Sequence, residues 1–203
     1  MHDHDIPLCV DLDGTLIRTD LTVESLFAFI GRNPLDVFRV LAWRVRGWAH
    51  MKREVARRVC VDAASLPYDE RVLELVRAAG GRRRRVLCTA SDQIVADAVA
   101  AHLGLFDEVL GSDGVRSLGG RGKRDELVAR YGERGFDYAG NATVDLQVWR
   151  HARQAIVVNA PPRLVARVRR ECAVERVLEW NGHGTRAWLR ALRNPSVRRS
   201  APQ

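Results

Sequence analysis

Ile6-Pro7-Leu8-Cys9-Val10-Asp11-Leu12-Asp13-Gly14-Thr15-Leu16 is the stretch on which the reading of this chain turns. The apolar run 6–10 reads as a buried strand, and Gly14 as the turn that ends it. Two carboxylates at i and i+2 then sit at the carboxyl end of the strand, the rim where open α/β sheets bind ligands. Side by side they repel, which suits a site with a cation and a division of labour. One carboxylate can attack a phosphorus atom while the other donates and then recovers the leaving-group proton. A helix-start turn carrying two solvated acids is the competing reading.

The rest of the chain repeats the alternation that such a rim requires. Strand-like runs follow at 82–89, 107–111, 136–140 and 155–159, with helix-period segments at 92–103, 122–132, 143–152 and 162–171. This order predicts an α/β fold, a Rossmann-like parallel sheet covered on both faces. Between the first two strands the pattern is helical only, at 22–32, 35–59 and 69–79. An all-helical insertion of that size inside one βα unit reads as a cap over one end of the sheet. The predicted division is a core of residues 1–19 and 81–180, a cap of 20–80, and a basic C-terminal helix and tail of 181–203, frayed from Arg193 onward.

Composition narrows the class. At 203 residues and 46% hydrophobic the chain can bury one sizeable core. No apolar run approaches the ~20 residues of a membrane span, and Met1-His2-Asp3-His4-Asp5 carries no signal-like segment. Cys9, Cys60, Cys88 and Cys172 show no CxxC spacing, and two lie in strand-like runs, which fits reduced thiols and a cytoplasmic protein.

Three more motifs follow the paired carboxylates in order. They are Thr89 in Val86-Leu87-Cys88-Thr89-Ala90-Ser91, Lys123 in Gly122-Lys123-Arg124, and the turn Gly140-Asn141-Ala142-Thr143-Val144-Asp145. Together with Asp11–Thr15 they resemble the four motifs of the haloacid dehalogenase-like superfamily, over roughly residues 6–160. The resemblance implies Asp11 as the nucleophile and a Mg²⁺ ligand. It implies Asp13 as general acid/base with its carbonyl on the metal, a second acid that marks phosphatases and phosphotransferases and that family dehalogenases lack. Thr89 would hold the transferring phosphoryl group, Lys123 would neutralise its charge, and Asn141 and Asp145 would complete the metal site. Asn141 stands where the family usually places Asp, so weaker Mg²⁺ affinity is expected. The longer runs VDLDGTLIRTDLTVESL, CTASD, AHLGLFDEVLGSDG and FDYAGNATVDLQVW are similar to a soluble phosphatase-like domain that some bacterial proteins fuse to a UbiA-type membrane prenyltransferase. That similarity allows either a free-standing domain or a piece of a longer protein. It implies a small phosphorylated substrate, prenyl-linked or not, selected by the cap. The alternative it leaves is a non-catalytic module that docks on a membrane prenyltransferase.

The net charge of +8 suggests nucleic acid until its distribution is read. Residues 1–31 carry −5, residues 32–58 carry +6 and residues 163–203 carry +7. The excess is two basic patches apart from an acidic site segment, which fits a phosphorylated substrate or an anionic membrane surface better than nucleic acid. Trp43 and Trp48, with Arg44, Arg46, Lys52 and Arg53, read either as a helix lying on anionic lipid or as a cap helix with solvated cations. The first reading would place the protein peripherally at the inner membrane face. The run Arg82–Arg85 reads as a solvated loop, His183 as a turn residue, and His2 and His4 as part of a mobile terminus. Lys52 and Lys123 are the only lysines among 33 basic residues.

Overall fold

Periodicity becomes architecture once each run finds the face that covers it. A computed structural model describes residues 6–31, 33–179 and, as backbone alone, 197–199. The chain begins with β1 (Leu8–Val10) and enters the helices α1 (Leu21–Ile30), α2 (Asp36–Val45) and α3 (Trp48–Ala56). It continues through β2 (Val59–Val61), α4 (Glu70–Ala79), β3 (Arg85–Asp92), α5 (Gln93–Leu103) and β4 (Glu108–Ser112). Then come α6 (Arg121–Tyr131), β5 (Asp137–Gly140), α7 (Leu146–Trp149), β6 (Gln154–Val158), α8 (Pro162–Glu171), β7 (Val174–Leu178) and β8 (Val197–Arg199).

Six strands form one sheet in the order β4-β3-β1-β5-β6-β7, with every pairing parallel. The predicted α/β class is therefore what the chain adopts. Strand alternation assigns the two faces. Leu8, Val10, Leu87 and Ile156 share one buried cluster with Val72 and Val76 of α4 and Val95 and Val99 of α5. Cys9, Val86, Tyr138 and Val157 share the other with Leu127 of α6, Trp149 of α7 and Val168 of α8. The chain builds outward from β1 through β3 to β4, then returns to β1's other side with β5. That reversal opens a crevice at the carboxyl ends of β1 and β5, where ligands of such sheets bind.

Local chemistry sets the helix ends. Asp20, Asp69 and Asp92 each accept a backbone N–H of the first turn of α1, α4 and α5. Gly104 closes α5 in the left-handed region, at φ 61°.

The structure departs from the sequence reading in several places. The helix expected over 35–59 is broken at Gly47, whose φ of 121° no L side chain adopts easily, and it ends at Ala56. The insertion is not all-helical, because β2 pairs antiparallel with β8. That strand also lies within the stretch expected to fray. The helix expected over 143–152 is a 3₁₀ turn at Thr143–Asp145 followed by the single turn α7. A sixth sheet strand, β7, carries no alternation strong enough to have been expected. Arg82–Arg84 form a loop with Arg82 and Arg84 exposed, as expected, and Arg85 begins β3; Arg83, Arg84 and Arg85 also pair with Asp137, Glu108 and Asp107 at the amino ends of β5 and β4. That edge is opposite the crevice. His2, His4, His183 and the expected C-terminal helix lie outside the described residues. Among the described residues, no helix is long and apolar enough to cross a membrane.

Candidate active site

Asp11 leaves β1 at the crevice, its N–H held by the Ala139 carbonyl of β5 at 3.0 Å. The chain then turns through Gly14 at φ 76°, and the Asn141 side chain lies so close over it that a Cβ there would overlap the amide. The backbone angle calls for glycine here, and a Cβ would also push the Asn141 amide aside. Asp11 is 7% exposed. Its Oδ1 accepts from Lys123 Nζ at 2.6 Å, while Oδ2 has only a 3.4 Å contact from the Thr15 hydroxyl. One oxygen is thus tethered and the other left for chemistry.

Lys123 comes from the first turn of α6 and is almost wholly buried. Its ammonium also donates to the Tyr138 hydroxyl at 2.7 Å, and Tyr138 donates in turn to Asp145 Oδ1 at 2.8 Å. The second Asp145 oxygen accepts the N–H groups of Asn141 and Ala142, at 3.1 and 3.0 Å. Asp145 is therefore fully engaged in holding Tyr138 and the 141–142 turn. Burial alone would lower the proton affinity of Lys123, but Asp11 and then Asp145 outweigh it and keep the ammonium charged. For Asp11 burial is the larger influence and raises its carboxyl to about 7, with Lys123 pulling the other way.

Asp13 is gripped from two sides. Leu21 N donates to Oδ1 at 2.8 Å, and the Ser91 hydroxyl donates to Oδ2 at 2.6 Å. Burial and then the nearby Asp20 raise its pKa, the direction a general acid needs. Thr89 is fully buried; its Oγ1 accepts from Ser91 N at 3.0 Å and lies 3.4 Å from Asp13 Oδ2. As placed, its hydroxyl supports Asp13 and Ser91, and the neighbouring Ala90 is what reaches the cavity wall.

These groups converge on a cavity of about 440 Å³ lined by Asp11, Asp13, Lys123, Asn141 and Asp145, with Gly119 and Gly120 at the start of α6. Five of the six site residues expected from sequence line it, and Thr89 lies behind it. Sequence reasoning missed Ser91 and Tyr138. The one visible signal was a hydroxyl-bearing Tyr138 inside the apolar run of β5. It also missed Lys52, which lines the cavity from α3.

The curated protein y4nM of Sinorhizobium fredii, described as uncharacterized, is 35% identical over 193 residues, 94% of this chain and 37% of the relative. The chain thus spans little more than a third of that relative's length. No family model matches. Among solved structures, a HAD family hydrolase, t0658 from Salmonella enterica serovar Typhi, aligns with TM-score 0.60 at 12% identity, over 93% of this chain and 70% of the other. A substrate-bound phosphoserine phosphatase aligns with TM-score 0.56 at 12% identity, over 86% and 92%. The chain has the haloacid dehalogenase-like fold.

A haloacid dehalogenase-like phosphatase site implies a divalent cation, and the donors present can be tested for it. Among the described residues no three His, Cys, Asp or Glu side chains group to hold a metal. Both Asp145 oxygens already accept hydrogen bonds, which makes Asp11 Oδ2 and the Asn141 amide oxygen the less committed side-chain donors. This set is all-oxygen and low in charge. It fits Mg²⁺, which takes one or two carboxylates and keeps several waters, better than a softer ion.

Proposed function

We propose that the chain is a Mg²⁺-dependent phosphatase that hydrolyses a phosphomonoester through an aspartyl-phosphate on Asp11. The observation that carries this reading is the asymmetric Asp11 carboxylate at the switch-point crevice, with Lys123 2.6 Å from one oxygen and the other left open beside Asp13. Oδ2 attacks phosphorus and the bond to the leaving oxygen breaks, with Asp13 delivering its proton to that oxygen. A water then attacks phosphorus, gives its proton to Asp13, and the bond to Asp11 breaks to release phosphate. Lys123 stays charged throughout, held by Tyr138 and Asp145, and offsets charge gathering on the phosphoryl oxygens. Asp11 and Asn141 would hold Mg²⁺, which would supply further positive charge at the phosphoryl group. Ser91 and Leu21 N aim Asp13.

Release of phosphate from p-nitrophenyl phosphate with Mg²⁺, abolished by Asp11→Asn, is the expected outcome. Folded protein with no turnover on that substrate and a panel of phosphorylated metabolites would instead identify a non-catalytic module.

A second reading concerns location and rests on α2. Leu35, Phe38, Leu41 and Val45 are exposed by 67%, 66%, 56% and 89%, beside the exposed Arg39, Arg44 and Arg46. Large apolar residues in solvent beside cations fit an anionic membrane surface, and with it an amphiphilic, prenyl-linked substrate or a membrane prenyltransferase as neighbour.

A further inference from the structure

One cation in the cavity has no task in the phosphoryl-transfer scheme. Lys52 lies on α3, in the insertion, and is partly buried between it and the core. Its ammonium donates to the Ala90 carbonyl at 2.7 Å and, among the described residues, forms no ion pair. The Trp48 ring, 5.8 Å away, is the other group it touches. An ammonium carries three donors, so one neutral carbonyl leaves most of its capacity free, with no carboxylate in direct contact. A desolvated cation without an anion is costly, and burial accordingly lowers its proton affinity. The two carboxylates that act on it most strongly are Asp13 and then Asp20, ahead of Asp11. Asp20 is itself committed to capping α1 through Val23 N. Lys52 is bonded to the carbonyl of Ala90, the neighbour of the Ser91 that holds Asp13, and so lines the cavity on the general acid's side, whereas Lys123 is bonded to the nucleophile.

We propose that Lys52 binds a second anionic group of the substrate, so that the preferred phosphomonoester bears a carboxylate or a further phosphate on its leaving group. This rests on the phosphatase reading for its first anion, the phosphoryl group bound at Asp11. The second anion gives Lys52 the charged partner it lacks.

Matched substrate pairs test it on the full chain with Mg²⁺: phosphoglycolate against ethyl phosphate, and propanediol bisphosphate against propyl phosphate. The wild type should favour the doubly anionic member of at least one pair by about tenfold or more in kcat/KM, through KM. The pair that responds says whether the second anion is carboxylate or phosphate. Lys52→Met should bring that ratio close to one, and Lys52→Arg should retain most of it. Equal turnover within both pairs by the wild type, or a Lys52→Met variant that slows both members alike and keeps the ratio, would overturn the assignment. Should no ester turn over, calorimetric titration with the same four compounds decides separately. Tighter binding of the doubly anionic member, lost in Lys52→Met, upholds the Lys52 subsite while the phosphatase reading falls. Equal binding removes the subsite.

Discussion

Asn141 decides how much charge the cavity offers a dication. An amide oxygen can ligate Mg²⁺ but brings no formal charge, and Asp145, four residues on, is engaged by Tyr138 and two backbone N–H groups. Unit charges ~4 Å apart at an effective dielectric of ~20 attract by about 4 kcal/mol, and a dication would feel the missing charge more. Asn141→Asp should therefore tighten Mg²⁺ binding about tenfold or more, read by calorimetric titration of the metal and by the Mg²⁺ concentration for half-maximal turnover. Unchanged values in both would show that the position does not ligate. At this scale the sequence was informative where the chemistry is local. Asp11 and Asp13 stand out by residue type and spacing, and Lys123 through the family resemblance of its motif. Ser91 and Tyr138 do not, because their partners, Asp13 in the turn after β1 and Lys123 of α6, are brought to them only by the assembled fold.

Among the elements, α2 and α3 divide the basic patch that the sequence presents as one. Lys52 and Arg53 turn inward, to the Ala90 carbonyl and to Asp92 at 2.8 Å, so neither belongs to a lipid-facing surface. The outward residues are on α2, where Phe38, Leu41 and Val45 recur at three- and four-residue spacing along one side. Sedimentation with vesicles containing phosphatidylglycerol should pull the chain down at low salt, less at high salt, and much less after Phe38→Glu with Val45→Glu. Failure of the wild type to sediment at low salt would reject the surface reading. The Gly47 break makes the division possible: a continuous helix over 35–59 would tie the facing of both halves to one period, whereas two helices choose their faces independently.

At the scale of the whole molecule, the insertion returns to the core through one buried carboxylate. Asp69 caps α4, and its oxygens accept from Arg71 and from Asn159 at the end of β6, with Arg18 3.7 Å away. Arg18 and Asn159 also line the cavity, so this network joins the returning chain to the site. Burial would raise Asp69, but the bonds from Arg71 and Asn159 and the charges of Arg71 and Arg18 carry it down to about 2. A folded value below the unfolded one adds stability that is complete above about pH 4 and is lost as pH falls through about 2. That contribution is roughly 2 kcal/mol at neutral pH. Asp69→Asn should lower stability by about this much in urea titrations near pH 7, and the difference from wild type should close near pH 2. A gap that persists in acid would rule out the ionised carboxylate as its source.

From sequence alone, the β1 turn with its two carboxylates and the parallel α/β class could be determined. Both follow from local periodicity and from residue types whose chemistry does not depend on distant partners, while Thr89, Lys123, Asn141 and Asp145 entered through the family resemblance. Only the tertiary structure decided which oxygens remain available. It engages Asp145, sets Thr89 behind the wall, brings Lys52 into the cavity and pairs Arg83–Arg85 at the far edge. Each outcome depends on contacts between residues far apart in the chain, and burial and charge at those contacts exist only when the sheet and its insertion are assembled.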